Sequence, residues 1–319
     1  MREGRFIQEN KARWESYRQP AQDPDELARR FTCLVDDLSY ARTFYPYSKT
    51  VKYINGMAAD IYLSIYKNKK QDRGRIAFFF LTELPLLLYK RRKTLLFSLL
   101  FFLVFVAIGA FSSWQEPDFV RSVLGDDYVT MTESNIAQGD PFGVYKNENS
   151  LVMFLYIAWN NIRVAFMCFI SGLFCSVGTL WMLFKNGVML GTFEQLFFAN
   201  DLGRRSLMVV FIHGTLEISA IVIAGSAGII LGNSILFPKT YTRIQSLIAG
   251  AKDGVKIVVS LIPVFIVAAF FEGYITRYTE MPVVLSLMIL CGSLLFIIGY
   301  FVWYPRVVFR RLRFPEAIL

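Results

Sequence analysis

The strongest constraint on this chain is a set of apolar stretches longer than a soluble core needs. Residues 94–111, TLLFSLLFFLVFVAIGAF, are 18 in a row without a charge. Further apolar stretches cover 206–232, 255–275 and 282–303. A hydrocarbon core about 30 Å thick is crossed by about 20 apolar residues at 1.5 Å each, so these stretches predict membrane-spanning helices. The rest of the chain is too charged for a bare bundle of spans. Lys and Arg number 34 and Asp and Glu 25, although 55% of residues are hydrophobic. The expected class is all-α: a polytopic membrane bundle with an N-terminal helical domain.

The first 20 residues, MREGRFIQENKARWESYRQP, lack the apolar segment of a signal peptide. Residues 1–93 carry 19 basic and 11 acidic side chains and are expected to be cytoplasmic. Leu27, Phe31, Leu34, Leu38 and Ala41 recur at helical spacing, and Ile54, Met57, Ile61 and Ile65 repeat the pattern. A helical hairpin is predicted, with Asp25 capping its first helix. Glu83 and Pro85 interrupt the apolar stretch that follows, which reads as an interfacial helix. The Lys90–Lys93 cluster is then either a contact with anionic headgroups or a topogenic stop. Lipid is the expected partner, and nucleic acid is not.

Residues 94–111 form the first predicted span. The 112–150 loop holds seven acidic and two basic side chains and is expected outside, folded over the membrane surface as a cap. Asn160, Asn161 and Arg163 divide the next apolar stretch into a lead-in over 151–162 and a span over 164–184. Residues 187–199 are too short for an ordinary span and contain Glu194 and Gln195, so they predict a half-helix within the 151–305 bundle. If that half-helix crosses, there are six passes; if it is re-entrant, five. The basic 233–254 link and the basic 306–319 tail favour six, with both termini cytoplasmic. Gly187/Gly191 and Gly228/Gly232 have the G-x-x-x-G spacing of tight helix packing, internal or in a homodimer.

His213, the single histidine, lies four residues before Glu217 in an apolar stretch, so one helix face carries both. Glu194 and Glu272 are the other carboxylates in apolar context. Counted at about 1.5 Å per residue from one membrane face, Glu272 lies roughly 5 Å deep, Glu194 9 Å and His213 11 Å, with Glu217 about 6 Å further. All four are expected to share one interior pocket, supported by Asn160, Asn161, Arg163, Asn186 and Gln195. Gly214 and Gly273 would remove bulk where the helices approach. Three readings stay open: a hydrogen-bonded helix contact, a proton or cation site, and a catalytic metal. One histidine and no H-E-x-x-H leave the metal unassigned, and no catalytic residues or cofactor are readable. The cysteines Cys33, Cys168, Cys175 and Cys291 read as small apolar packers.

The same residues carry a resemblance. FIHGTLEISAIVIAGSAGIILG, followed by AAFFEGYIT, together with NNIRVAF and GLFCSVGTLWMLFKNGVMLG, resembles the stage II sporulation protein M (SpoIIM) family. Trp14, DLSYAR, NGMAADIY and Pro85 are similar to its longer, non-sporulating branch. The resemblance implies a bacterial inner-membrane protein without established enzymatic activity. It also implies partners of the MoxR-type ATPase or peptidoglycan-remodelling kind. Its recurrent polar positions would be Asn160, Asn161, Arg163, Asn186, Glu194, His213, Glu217 and Glu272. The leading expectation is an envelope scaffold or regulatory subunit. A proton- or ion-coupled transporter and an intramembrane metal hydrolase are the alternatives.

Overall fold

The computed structural model describes residues 2–17, 19, 21, 23–67, 74–143, 149–276 and 281–313. The final six residues of the expected basic tail lie outside them. The chain divides into two compact units, Met1–Arg75 and Ile76–Leu319.

The N-terminal unit contains α1 (Glu3–Ser16), α2 (Pro24–Phe44) and α3 (Lys49–Lys67). The expected hairpin is α2 with α3, and α1 completes a three-helix core. Phe6 and Trp14 meet Leu34, Leu38, Ala41, Ile54, Ala58 and Ile61 there. Asp37 ties α1 to α2. It accepts from Arg13 Nη2 at 2.6 Å and from the buried Trp14 Nε1 at 2.8 Å. Glu3 ties α1 to the start of α3, accepting from Ser48 Oγ and from Thr50 Oγ1. These hydrogen bonds hold the Glu3 carboxyl below the usual carboxylate range. The cap of α2 is Asp23, which accepts from the Glu26 N–H at 2.6 Å; Asp25, the expected cap, sits inside the first turn.

The membrane unit begins with α4 (Arg75–Phe78), a π-turn (Phe79–Glu83) and α5 (Leu84–Gln115). The expected interfacial helix and first span are therefore one run, Arg75–Gln115. Pro85 does not interrupt it, because it occupies the first turn of α5, where its missing N–H is harmless. Charged residues near the start of α5 find partners on a later helix. Arg91 pairs with Asp253 at 2.6 Å, and Glu83 pairs with Lys256. The short helices α6 (Pro117–Leu124) and α7 (Asp126–Ala137) follow.

Then come α8 (Ser150–Ile170), α9 (Val177–Ala199), α10 (Gly203–Leu236), α11 (Arg243–Phe270), α12 (Val283–Ile297) and α13 (Tyr304–Arg313). Two further π-turns cover Phe271–Ile275 and Ile298–Trp303. Among the described residues, five segments are long and apolar enough to cross a membrane: Arg75–Gln115, Ser150–Leu173, Gly203–Leu236, Arg243–Ile275 and Val283–Leu312. The protein is an integral membrane protein.

Two boundaries differ from expectation. Helix α8 passes unbroken through Asn160, Asn161 and Arg163, so the segment expected as a lead-in belongs to the span. The half-helix expected over 187–199 is the later part of α9, a continuous helix of 23 residues. Lys185 points outward, and the Asn186 amide donates to Met182 O at 2.8 Å, so neither breaks the helix. The break comes earlier, at Cys175 and Ser176, which have φ of 51° and 69°. Non-glycine residues rarely adopt that conformation, and nothing in the Cys-Ser pair announces it.

Helix directions follow from their contacts. Gly187 abuts Phe102 and Phe105, and Gly191 abuts Val106 and Ala110, so α9 runs parallel to α5. Helices α8 and α10 are parallel, with Asn161 at Glu217 and Gly172 at Gly228. Helix α9 is antiparallel to α10, with Glu194 at Ser206 and Thr179 at Gly228. Helix α11 is antiparallel to α8, with Gly254 at Phe169 and Gly273 at Phe154. Helix α10 is the central element. In its most apolar window 61% of residues are buried, against 17% in the windows of α5 and α8. The glycines of the Gly187/Gly191 and Gly228/Gly232 pairs pack within the chain: Gly187 and Gly191 on α5, Gly228 and Gly232 on Thr179 and Ser176.

Candidate functional site

The 3.6-residue period of α10 puts His213 and Glu217 on one face, one turn apart. The π-turn after α11 carries Glu272, and Thr276 closes that turn with a hydrogen bond from its N–H to Phe271 O at 2.8 Å. Single π-turns within helices recur at functional sites because the wider turn re-aims side chains. The two helix segments meet here. His213 Nε2 lies 3.8 Å from Glu272 Oε2, and its Nδ1 lies 3.1 Å from Thr276 Oγ1. Glu217 accepts a hydrogen bond from Asn161 of α8. One ligand atom from each of His213, Glu217 and Glu272 lies within 4.8 Å of the others. His213 is 4% exposed. An ionisable group at bilayer depth costs about 2.5–3.5 kcal/mol on insertion scales, so three together need mutual pairing or a bound ion.

A cavity of about 440 Å³ lies beside this group. His213, Glu217, Asn160, Asn161 and Asn186 supply its polar lining, and the remainder is apolar, including Phe102, Phe193 and Ile218. Tyr128 of α7 also lines it, and burial pushes its phenol up. Asn160 on α8 and Met189 on α9, both exposed, are also among its lining residues. Beyond Glu217 the bundle closes. Ser176, Thr179 and Gly172 press on Gly228 and Gly232, and Ser234 presses on Gly250.

Of the four ionisable residues expected in one pocket, His213, Glu217 and Glu272 converge. Glu194 does not join them. It faces Ser206, whose hydroxyl donates to Glu194 Oε2 at 3.1 Å, two turns of α10 before His213. Glu194 Oε1 is buried and has no hydrogen-bond partner among the described residues. Asn161 joins the group directly, and Asn160 and Asn186 reach the cavity. Gln195 is half-buried on α9, and Arg163 is exposed on α8. Gly273 allows the close approach expected of it, with Phe154 Cβ only 3.1 Å from where a Cβ would stand. Gly214 does not: its nearest neighbours are Val210 and Ile218 of its own helix, and its bare Cα lines the cavity instead. Thr276 is not among the expected site residues, although it follows Glu272 at the same four-residue spacing that joins His213 to Glu217.

Comparison with known families matches both units. Residues 4–67, within the N-terminal unit, match a domain of unknown function (DUF8413). Residues 98–277 match the family model described as Stage II sporulation protein M. No curated protein and no solved structure matches the chain. The second match runs from Ser98, which donates to Val222 O in the bundle core, to the residue after Thr276, and so takes in every side chain of the polar group. On that match, which covers more than half its length, the chain belongs to the Stage II sporulation protein M family.

Proposed function

We propose that the protein is a scaffold or regulatory subunit of the bacterial inner membrane. The N-terminal unit docks envelope-associated partners, and the membrane unit anchors it around the His213–Glu217–Glu272 core. The observation that carries this reading is the division into two units, the first with its own closed core and an aromatic tip turned to solvent. Phe44 is 58% exposed and Tyr47 99% exposed at the α2–α3 turn. The reading takes these two exposed aromatic side chains, three residues apart, as part of the docking contact. The reading places the N-terminal unit in the cytoplasm, where basic segments are retained. It takes MoxR-type ATPases or peptidoglycan-remodelling proteins as the partner classes.

Six crossings belong to the same proposal. The alternating directions of α5, α8, α9, α10 and α11 support it, as does the stacking of Tyr89 on Phe309, ring centroids 4.1 Å apart, which brings the two ends of the membrane unit together. Helix α9, at about 1.5 Å per residue, is about 35 Å long, enough to cross. A reporter fused after Leu319 and active only in the cytoplasm is expected to be active; activity of a periplasm-only reporter there would refute six crossings.

Deleting residues 1–75 is expected to leave an inserted membrane unit and to abolish recovery of cytoplasmic partners. Undiminished partner recovery would refute docking. A coupled transporter is the second reading, favoured by the cavity that reaches His213 and Glu217. The closed packing beyond Glu217 favours the first, since it leaves the cavity a dead end. Proton- or ion-dependent flux in proteoliposomes, lost in Glu217→Gln, would decide for transport.

A further inference from the structure

We propose that His213, Glu217 and Glu272 bind one divalent transition-metal ion of the manganese-to-zinc class, which enters through the cavity that His213 and Glu217 line. The inference rests on the membrane placement of the bundle and is independent of partner docking.

Charge is the first argument. Two carboxylates and a dication sum to zero, and a neutral imidazole adds none, so the loaded site carries no net charge into the low-dielectric interior. Distance is the second. Ligands bound at about 2.0–2.2 Å stand about 3–3.5 Å apart around a metal. The 3.8 Å between His213 Nε2 and Glu272 Oε2 is close to that, and side-chain rotation can draw in atoms that already lie within 4.8 Å.

The surrounding hydrogen bonds are those a metal site uses. Metal-binding histidines generally anchor their second nitrogen, and metal-binding carboxylates are themselves hydrogen-bonded. Thr276 lies at His213 Nδ1 and directs Nε2 toward Glu272; the Asn161 amide donates to Glu217. The cavity supplies an entry path and room for water in the remaining coordination positions, because His213 and Glu217 both line it. One nitrogen and two carboxylates suit first-row ions. Calcium and magnesium favour all-oxygen sites with more ligands, and copper(I) favours thiolates.

The test uses the full chain in lipid nanodiscs, stripped with chelator, incubated with Zn²⁺ or Mn²⁺ and desalted. One metal per chain is expected by elemental analysis, and Mg²⁺ in large excess should not displace it. Glu272→Gln and Glu217→Gln should each weaken binding at least tenfold. Thr276→Val, which removes only the support of His213, should weaken it by 10–100-fold. Glu194→Gln, outside the group, should bind normally. Each variant is compared only where its elution and melting profile match the parent, and Thr276→Val serves if a carboxylate variant does not fold. Sub-stoichiometric metal in the parent, or undiminished binding in every folded variant of the group, overturns the proposal. Partner recovery through residues 1–75 is unaffected by that outcome, so failure here and failure of docking are told apart.

Discussion

Substituting Gly228 by alanine tests the helix crossing that closes the bundle beyond Glu217. At this residue the Thr179 hydroxyl, donating to Cys168 O at 2.7 Å, lies directly against α10. An added Cβ would stand 2.6 Å from Cys168 O and 2.9 Å from Thr179 Cγ2, and closer still to Thr179 Oγ1. Cys168 O belongs to a helix backbone, so relief requires moving α8 or turning Thr179 away. Overpacking of this kind costs about 1–3 kcal/mol. Losing the threonine hydrogen bond adds about 0.5–1.5 kcal/mol. Replacing a mid-helix glycine returns about 1 kcal/mol. The net expectation is a loss of about 0.5–3.5 kcal/mol. Gly292 on α12 is the control, with nothing within 4 Å of its would-be Cβ, and Gly292→Ala should be neutral or gain up to about 1 kcal/mol. Reversible unfolding in mixed micelles measures the difference. Equal stability of the two variants would refute the close crossing of α8, α9 and α10.

Three further outcomes are expected. Asp37→Ala leaves the buried Trp14 Nε1 without its acceptor and should destabilise an isolated 1–75 fragment by about 1–3 kcal/mol in thermal denaturation; an unchanged melting point would count against the α1–α2 tie. Glu3 has a lowered pKa in the fold, so the stability it lends is present above its ordinary value and is lost as pH falls through the folded value. The fragment should therefore weaken below about pH 4.5, and Glu3→Gln should flatten that part of the curve; an identical acid limb would contradict the assignment. Gly214→Leu places a side chain in the cavity beside His213 and should slow metal uptake without removing a ligand; uptake at the parental rate would mean that the ion enters elsewhere.

Much of this architecture is legible in the residues, and what is not has physical causes. The spacing of Leu34, Leu38, Ala41, Ile54 and Ile61 announces the N-terminal core, because a helical stripe must be buried somewhere. Depth makes a meeting of His213, Glu217 and Glu272 possible, since helical rise converts residue number into distance along the membrane normal. Depth alone cannot give rotation, and rotation is what sends Glu194 to Ser206 rather than to the group. The continuous α9 is hidden because charge suggests a break, whereas Lys185 simply points outward. The left-handed pair Cys175–Ser176 and the π-turn at Glu272 arise from tertiary packing, and neither has a local residue signature.

The single histidine offers the most direct test of the polar core, since ¹⁵N-histidine labelling gives signals from one imidazole alone. In nanodiscs, nitrogen NMR of that ring is expected to show Nε2 displaced by one equivalent of Zn²⁺, with no further change beyond saturation. Glu272→Gln should diminish the response. A ring whose signals ignore Zn²⁺ would contradict a metal site built on His213, Glu217 and Glu272.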